Sequence, residues 1–294
     1  MTAGPITRRA ALAAAAFASA APAWALAADP WGGRLAAIEQ RLGGRLGVLA
    51  VDTGSGRRIG WRTDARFPMC SSFKWLLAAY VLARVDAGKE RLDRVIPYGP
   101  SDLLGWSPVT RANVAKGGLS MRELCTAAVE FSDNGAANLL LKSVGGPAAL
   151  TAWLRSIGDP ATRLDRIEPG LNSSVPGDPR DTTTPEAMVG DMRRLLLGSV
   201  LSPASRQMLT DWLIACQTGE KRLRAGLPRD WRVGDKTGTN DGRWFTCNDL
   251  AIAWPPGRPP ILIFAYSTAG PAKTEAREAA IAEVGRLVAQ WASA

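Results

Sequence analysis

Ser71-Ser72-Phe73-Lys74-Trp75-Leu76-Leu77-Ala78-Ala79-Tyr80-Val81-Leu82 is where the chain changes its period. Before it, Leu46 to Asp52 and Arg57 to Arg62 alternate or run apolar as strands do, with Thr53-Gly54-Ser55-Gly56 as the hairpin turn between them. From Ser72 to about Asp86 the apolar spacing becomes helical and stops at Gly88. A helix that opens directly on Ser71 puts Lys74 one turn along the same face. It also leaves the Ser71 N–H unspent at the helix start.

The alternation has a long range. A helix is expected over Trp31 to Leu42, carried by Leu35, Ile38 and Leu42. Ser120 with Glu123 has the capping-box spacing, so a helix should run from there to Glu130. Further helices are expected near Asn134 to Val144, Pro147 to Ser156, Pro185 to Leu197 and Pro203 to Ala215. Asp159 to Thr184 is rich in Pro, Gly, Asp and Arg without periodicity, a length of loop that in a compact protein is usually functional or disordered. Strand patterns return at Arg232 to Lys236, Asn248 to Trp254 and Pro260 to Ser267, followed by a helix over Lys273 to Trp291. Strands thus stand at both ends and helices between. The simplest arrangement is an α/β (α+β) fold: an antiparallel sheet built from both termini, flanked by terminal helices, with an all-helical lobe inserted.

The 294 residues suffice for one large domain or two lobes. Net charge is +9, and losing Arg8 and Arg9 with a leader leaves +7. The arginines are dispersed and no basic run is interleaved with aromatics, so nucleic acid is not expected as a partner; anionic small molecules are. Cys70, Cys125, Cys216 and Cys247 form no C-x-x-C pair, and the chain has no histidine, which argues against a metal centre. No cofactor is called for. Thr7-Arg8-Arg9, the alanine-rich run Ala10 to Ala21 and the small-x-small sites ending at Ala25 and Ala27 read as an export signal over residues 1–27, of twin-arginine or ordinary secretory type. The mature protein is expected to be a monomer outside the cytoplasm, periplasmic or secreted, with no membrane insertion.

The absence of histidine also closes the commonest way of activating a serine. Any base must be a lysine or a carboxylate. Lys74 is flanked by Phe73 and Trp75-Leu76-Leu77, and a lysine buried there needs a partner or a lowered pKa. Ser132-Asp133-Asn134 sits at a helix junction and is read either as an N-cap or as part of a site. Lys236-Thr237-Gly238-Thr239 ends an apolar strand; a lysine and two hydroxyls there would grip a carboxylate, and Gly238 lets a ligand approach the backbone.

Met69-Cys70-Ser71-Ser72-Phe73-Lys74, Ser132-Asp133-Asn134, Glu168-Pro169-Gly170-Leu171-Asn172 and Lys236-Thr237-Gly238-Thr239, in this order, resemble the class A serine β-lactamases across nearly all of the mature length. Pro176 to Pro185 looks like the segment that closes that family's omega loop. The resemblance implies β-lactam antibiotics as small-molecule substrates. It implies Ser71 as nucleophile and Ser132 as the proton donor to the leaving nitrogen, with Lys74 and Lys236 shaping the field. Glu168 and Asn172 would hold the hydrolytic water, and Asn134 would bind the substrate amide. The backbone N–H groups of Ser71 and Thr239 would form the oxyanion hole, with Lys236, Thr237 and Gly238 beside it. Trp106 would wall the cleft, Arg222 would bind the substrate carboxylate, and Arg166 with Asp181 would tie the loop ends. Lys74 and Glu168 both remain open as the acylation base. The implied division is an α/β lobe over 29–65 and 217–294 and a helical lobe over 66–216, with the omega loop at 163–181.

The chain departs from the pattern in places. Ser72 replaces a threonine, Gly170 replaces an acid, and Asn240 to Phe245 is about two residues longer than the common form. Asn240 stands where family carbapenemases often have the cysteine that joins the one before the nucleophile, and Ala78 stands where a partner of Cys125 would be. The substrate spectrum is therefore left open. A penicillin-binding peptidase or a penicilloyl-sensing module would share the serine, lysine and Lys-Thr-Gly parts; Glu168 and Asn172 are what set this chain apart from them.

Overall fold

The computed structural model describes residues 30–294, so the expected export signal lies outside the described residues. The sheet has five antiparallel strands: β1 (Arg45–Asp52), β2 (Arg58–Trp61), β3 (Arg232–Asn240), β4 (Thr246–Trp254) and β5 (Ile261–Thr268), in the order β2-β1-β5-β4-β3. Strands from the two ends of the chain meet at β1 and β5 over a register running from Arg45↔Thr268 to Asp52↔Ile261. Nearly every residue of β1, β4 and β5 is buried, because both faces of the sheet are covered.

One face packs on helices α1 (Pro30–Leu42) and α8 (Thr274–Ser293), where Leu35, Ile38, Val48, Ile263, Val284 and Val288 share a core. The opposite face, through Leu49, Leu250, Leu262 and Phe264, joins the core of the helices between the strands. At the centre of that layer runs α2 (Lys74–Asp86), with Trp75, Leu76, Leu77 and Ala78 fully buried. Around it stand α3 (Met121–Glu130), α4 (Asn134–Val144), α5 (Gly146–Ser156), α6 (Pro185–Met192) and α7 (Pro203–Ile214). Ser120 and Glu123 form the expected capping box on α3. The expected fold class is the one observed.

The structure alters several boundaries. The nucleophile segment is a 3-10 turn over Cys70–Phe73, and the α-helix proper begins at Lys74, two residues after the expected start. Ser71 thus lies in a tight turn in front of the helix. β3 does not stop at Lys236; it continues to Asn240, because Thr237 to Asn240 pair with β4 from Asp249 back to Thr246. Those polar residues read as a turn, yet they form the edge of the sheet and border the cleft. The helix expected to reach Leu197 passes into a π turn over Arg193–Leu197 and ends at Gly198, where a Cβ would press on Arg194 O at 2.6 Å. Two short helices, Pro108–Ala112 and Leu223–Gly226, lay beyond the apolar periodicity. All four cysteines are free and buried.

Candidate active site

Lys74 Nζ donates to Ser71 Oγ at 2.9 Å, as the helical spacing requires. The same ammonium reaches Ser132 O at 2.8 Å, Asn134 Oδ1 at 2.5 Å and Glu168 Oε1 at 3.1 Å. Its side chain is fully buried. Burial pulls the Lys74 amine below its ordinary range, and the adjacent Glu168 carboxylate opposes that pull. Ser71 Oγ in turn donates to Glu168 Oε1 at 3.2 Å. One hydroxyl therefore has both candidate bases within reach.

Asp133 resolves the two readings of the Ser132-Asp133-Asn134 motif. Its carboxylate caps α4 by accepting from Ala136 N at 2.9 Å, and also takes the N–H groups of Val109 and Thr110. The middle residue is the cap, and its neighbours are left for the cleft. Ser132 adopts φ 57°, a left-handed conformation uncommon outside glycine. Ser132 Oγ accepts from Lys236 Nζ at 3.1 Å. Lys236 is fully buried, and burial pushes its amine down to about 8, helped by the charge of Lys74.

Glu168 sits in the loop and is held from below by Asn138. Asn138 Nδ2 donates to Glu168 O at 2.9 Å, and Glu168 N donates to Asn138 Oδ1 at 3.0 Å. Asn172 Nδ2 donates to Glu168 Oε2 at 2.5 Å, leaving Asn172 Oδ1 buried without a protein partner. At the loop base, Asp181 accepts from Arg166 Nε at 2.5 Å and from the backbone of Asp165 and Arg166 at 2.7 and 3.0 Å. Met69 N donates to Asp181 O at 2.9 Å, which joins that base to the nucleophile turn.

The strand wall is β3. Gly238 lies against the nucleophile turn so closely that a Cβ there would meet Met69 O at 2.3 Å. Thr237 Oγ1 pairs with Thr218 Oγ1 at 2.5 Å. Arg222, almost wholly buried, is fixed by Gly238 O, Asn248 O and Glu278, and donates to Thr239 Oγ1 at 2.7 Å. It thus meets the cleft through Thr239. On the far rim Trp106 is 58% exposed, its Nε1 donating to Phe131 O at 3.0 Å.

The structure brings Ser71, Lys74, Ser132, Asn134, Glu168, Asn172 and Lys236 into one hydrogen-bonded cluster, with Thr237, Gly238 and Thr239 along one side and Trp106 at the lip. Asn138 was missed. It stands four residues after Asn134 on one helix face, a spacing that would have pointed to it. Asn248 and Tyr266 were missed as well, since their place depends on strand register.

The sequence profile of the Beta-lactamase enzyme family matches residues 33–292. The chain is 49% identical over 262 residues to the carbapenem-hydrolyzing β-lactamase KPC of Klebsiella oxytoca, covering 89% of this chain and 87% of that one. It is 52% identical over 255 residues to β-lactamase L2 of Stenotrophomonas maltophilia, covering 86% and 82% respectively. Among solved structures, an ancestral (GNCA) class A β-lactamase matches with TM-score 0.86 and 63% identity, over 89% of this chain and 99% of that one.

Proposed function

The chain belongs to the class A β-lactamase family, and we propose that it opens its substrate through a Ser71 ester that a Glu168-activated water releases. It is a hydrolase of the cyclic amide in penicillin- and cephalosporin-type antibiotics, and so an enzyme of antibiotic resistance. The observation that carries the mechanism is the double contact of Ser71 Oγ, 2.9 Å from Lys74 Nζ and 3.2 Å from Glu168 Oε1.

The steps follow from the contacts. Ser71 gives its proton to one of these two bases and attacks the lactam carbonyl. The oxyanion is held by the N–H groups of Ser71 and Thr239; β3 is an edge strand, so its outer backbone groups are not consumed by the sheet. The lactam C–N bond breaks as Ser132 protonates the nitrogen, and Lys236 Nζ, 3.1 Å away, supports that hydroxyl. Lys236 and Thr237 receive the substrate carboxylate, with Arg222 adding charge through Thr239. A water between Glu168 and Asn172 then attacks the ester. The proton that Ser71 first gave up returns through the lysines to Ser132, and the proton of the water passes to Glu168 and from there to the departing Ser71 Oγ, which restores both hydroxyls and the carboxylate. Asn172 Oδ1 lacks a protein partner and is suited to accept from that water.

The export signature at residues 1–27 supports action outside the cytoplasm. Mixing purified protein with a penicillin while following intact mass tests the mechanism. Turnover with a transient adduct on Ser71 is expected, and Glu168→Ala should hold the adduct. A stable Ser71 ester without turnover in the unaltered protein overturns the hydrolytic reading; fast turnover in Glu168→Ala removes Glu168 from it.

A further inference from the structure

One rung of the sheet lies directly under the nucleophile turn. Register pairs Gly47 with Tyr266, Tyr266 with Asn248, and Asn248 with Gly238, across β1, β5, β4 and β3. Paired residues project to the same face, so this rung presents two glycines at its ends and two polar side chains between them. Phe67 to Ser72 lies across it. A Cβ at Gly47 would come within 2.4 Å of the Phe67 ring, and one at Gly238 within 2.3 Å of Met69 O. The bare ends are what let the segment lie flat.

The two middle residues hold it down. Asn248 and Tyr266 are both fully buried. Asn248 Nδ2 donates to Pro68 O at 2.7 Å and to Met69 O at 3.0 Å; both neighbours are carbonyl oxygens, so the amide nitrogen must face them. Ser72 Oγ spends its single proton on Met69 O at 2.8 Å. Tyr266 OH, in contact with Ser72 Oγ, must therefore be the donor of that pair. Met69 O also accepts from Ser72 N at 3.1 Å. Between the residues so gripped lie Cys70, at φ 46°, and Ser71. A non-glycine residue in that conformation persists only when its surroundings over-determine it.

We propose that Asn248 and Tyr266 are positioning residues for Ser71: through the carbonyls of Pro68 and Met69 and the hydroxyl of Ser72, they fix the strained turn so that the Ser71 N–H and Oγ meet the lactam carbonyl in register. Neither residue touches the cleft. The inference rests on the Ser71 acyl-enzyme reading.

The test uses Tyr266→Phe, which keeps the ring stacked on Phe264 at a centroid distance of 3.8 Å and removes only the hydroxyl. Asn248→Ala is its companion. Each is made alone and with Glu168→Gln, which retains the ester for infrared measurement of its carbonyl band. Oxyanion-hole donors lower that band. Expected are a band at higher wavenumber and an acylation rate constant reduced about tenfold, short of the 10²–10³-fold that loss of an oxyanion donor itself costs. An unmoved band and unchanged acylation rate, with a lower melting temperature alone, would make the two residues merely structural and overturn the inference. Tyr266→Phe decides the matter if Asn248→Ala does not fold. If Glu168→Gln itself yields no Ser71 adduct, the underlying mechanism fails first, and that failure is read separately.

Discussion

Ser71 and Glu168 stand 3.2 Å apart, yet the molecule holds them by opposite means. The Ser71 turn lies on a sheet with both faces covered and is fixed by groups buried beneath it. Glu168 hangs in a loop without an α-helix from Asp159 to Thr184, kept in place by Asn138, Asn172 and the Arg166–Asp181 pair. In the proposed mechanism, forming the ester would thus rest on packed backbone, and releasing it on polar side-chain contacts. Polar contacts in a loop open at lower free energy than sheet pairing does. Damage to the loop should slow release first; damage to the sheet should slow formation first.

The sharpest way to break this contrast is Gly238→Ala. Its methyl group collides with Met69 O, so the nucleophile turn must shift. A displacement of about 1 Å can cost about 10²-fold in rate, and it should fall on the acylation rate constant in single-turnover measurements. Asp181→Asn attacks the other side. It removes the charge paired with Arg166 at 2.5 Å. A loss of about 2 kcal/mol is expected for a buried charged acceptor, seen as a lower melting temperature together with accumulation of acyl-enzyme. If either variant slows the opposite step more, the division of labour is wrong.

A pH profile sharpens the comparison, because the lysine on the sheet titrates within reach. Lys236 has its amine at about 8, against an ordinary value of 10.5. In the proposed mechanism its cation grips the substrate carboxylate, so binding should be complete below pH 8 and lost as pH rises through it. KM should rise about tenfold per pH unit above that point, while kcat changes less. Stability moves the other way. Between 8 and 10.5 the unfolded chain holds the proton that the folded one has released, so melting temperature should gain a rising contribution with pH there. The smallest effect is reserved for the loop. Gly170 has open space around its Cβ position and no left-handed φ. Gly170→Ala should therefore stabilise by about 0.4–1 kcal/mol through the unfolded chain, a rise of about 2 °C.

Much of this is legible in the sequence alone. The four motifs are local, and their chemistry is carried by residue type and spacing: Lys74 reaches Ser71 because one helical turn separates them. The strands at both termini and the helices between were visible in their periods. What escaped depends on contacts distant in sequence. Asn248 is 179 residues from Met69, and Tyr266 is 194 from Ser72, so only strand register brings each to the turn. The last four residues of β3 escaped for another reason. Thr237 to Asn240 are polar and include glycine, which a strand pattern excludes, because that edge faces a cleft and not a core.

The bare ends of the sheet rung carry a consequence for how such a protein can change over generations. A side chain at Gly238 presses on the backbone of the reactive turn, and one at Gly47 presses on the buried Phe67 ring that precedes it, so neither position is open to adaptive drift. Adaptation to a new drug has to be written away from that rung, at exposed Trp106 or at Gly170, where a Cβ meets open space and the ground on which the serine rests is left undisturbed.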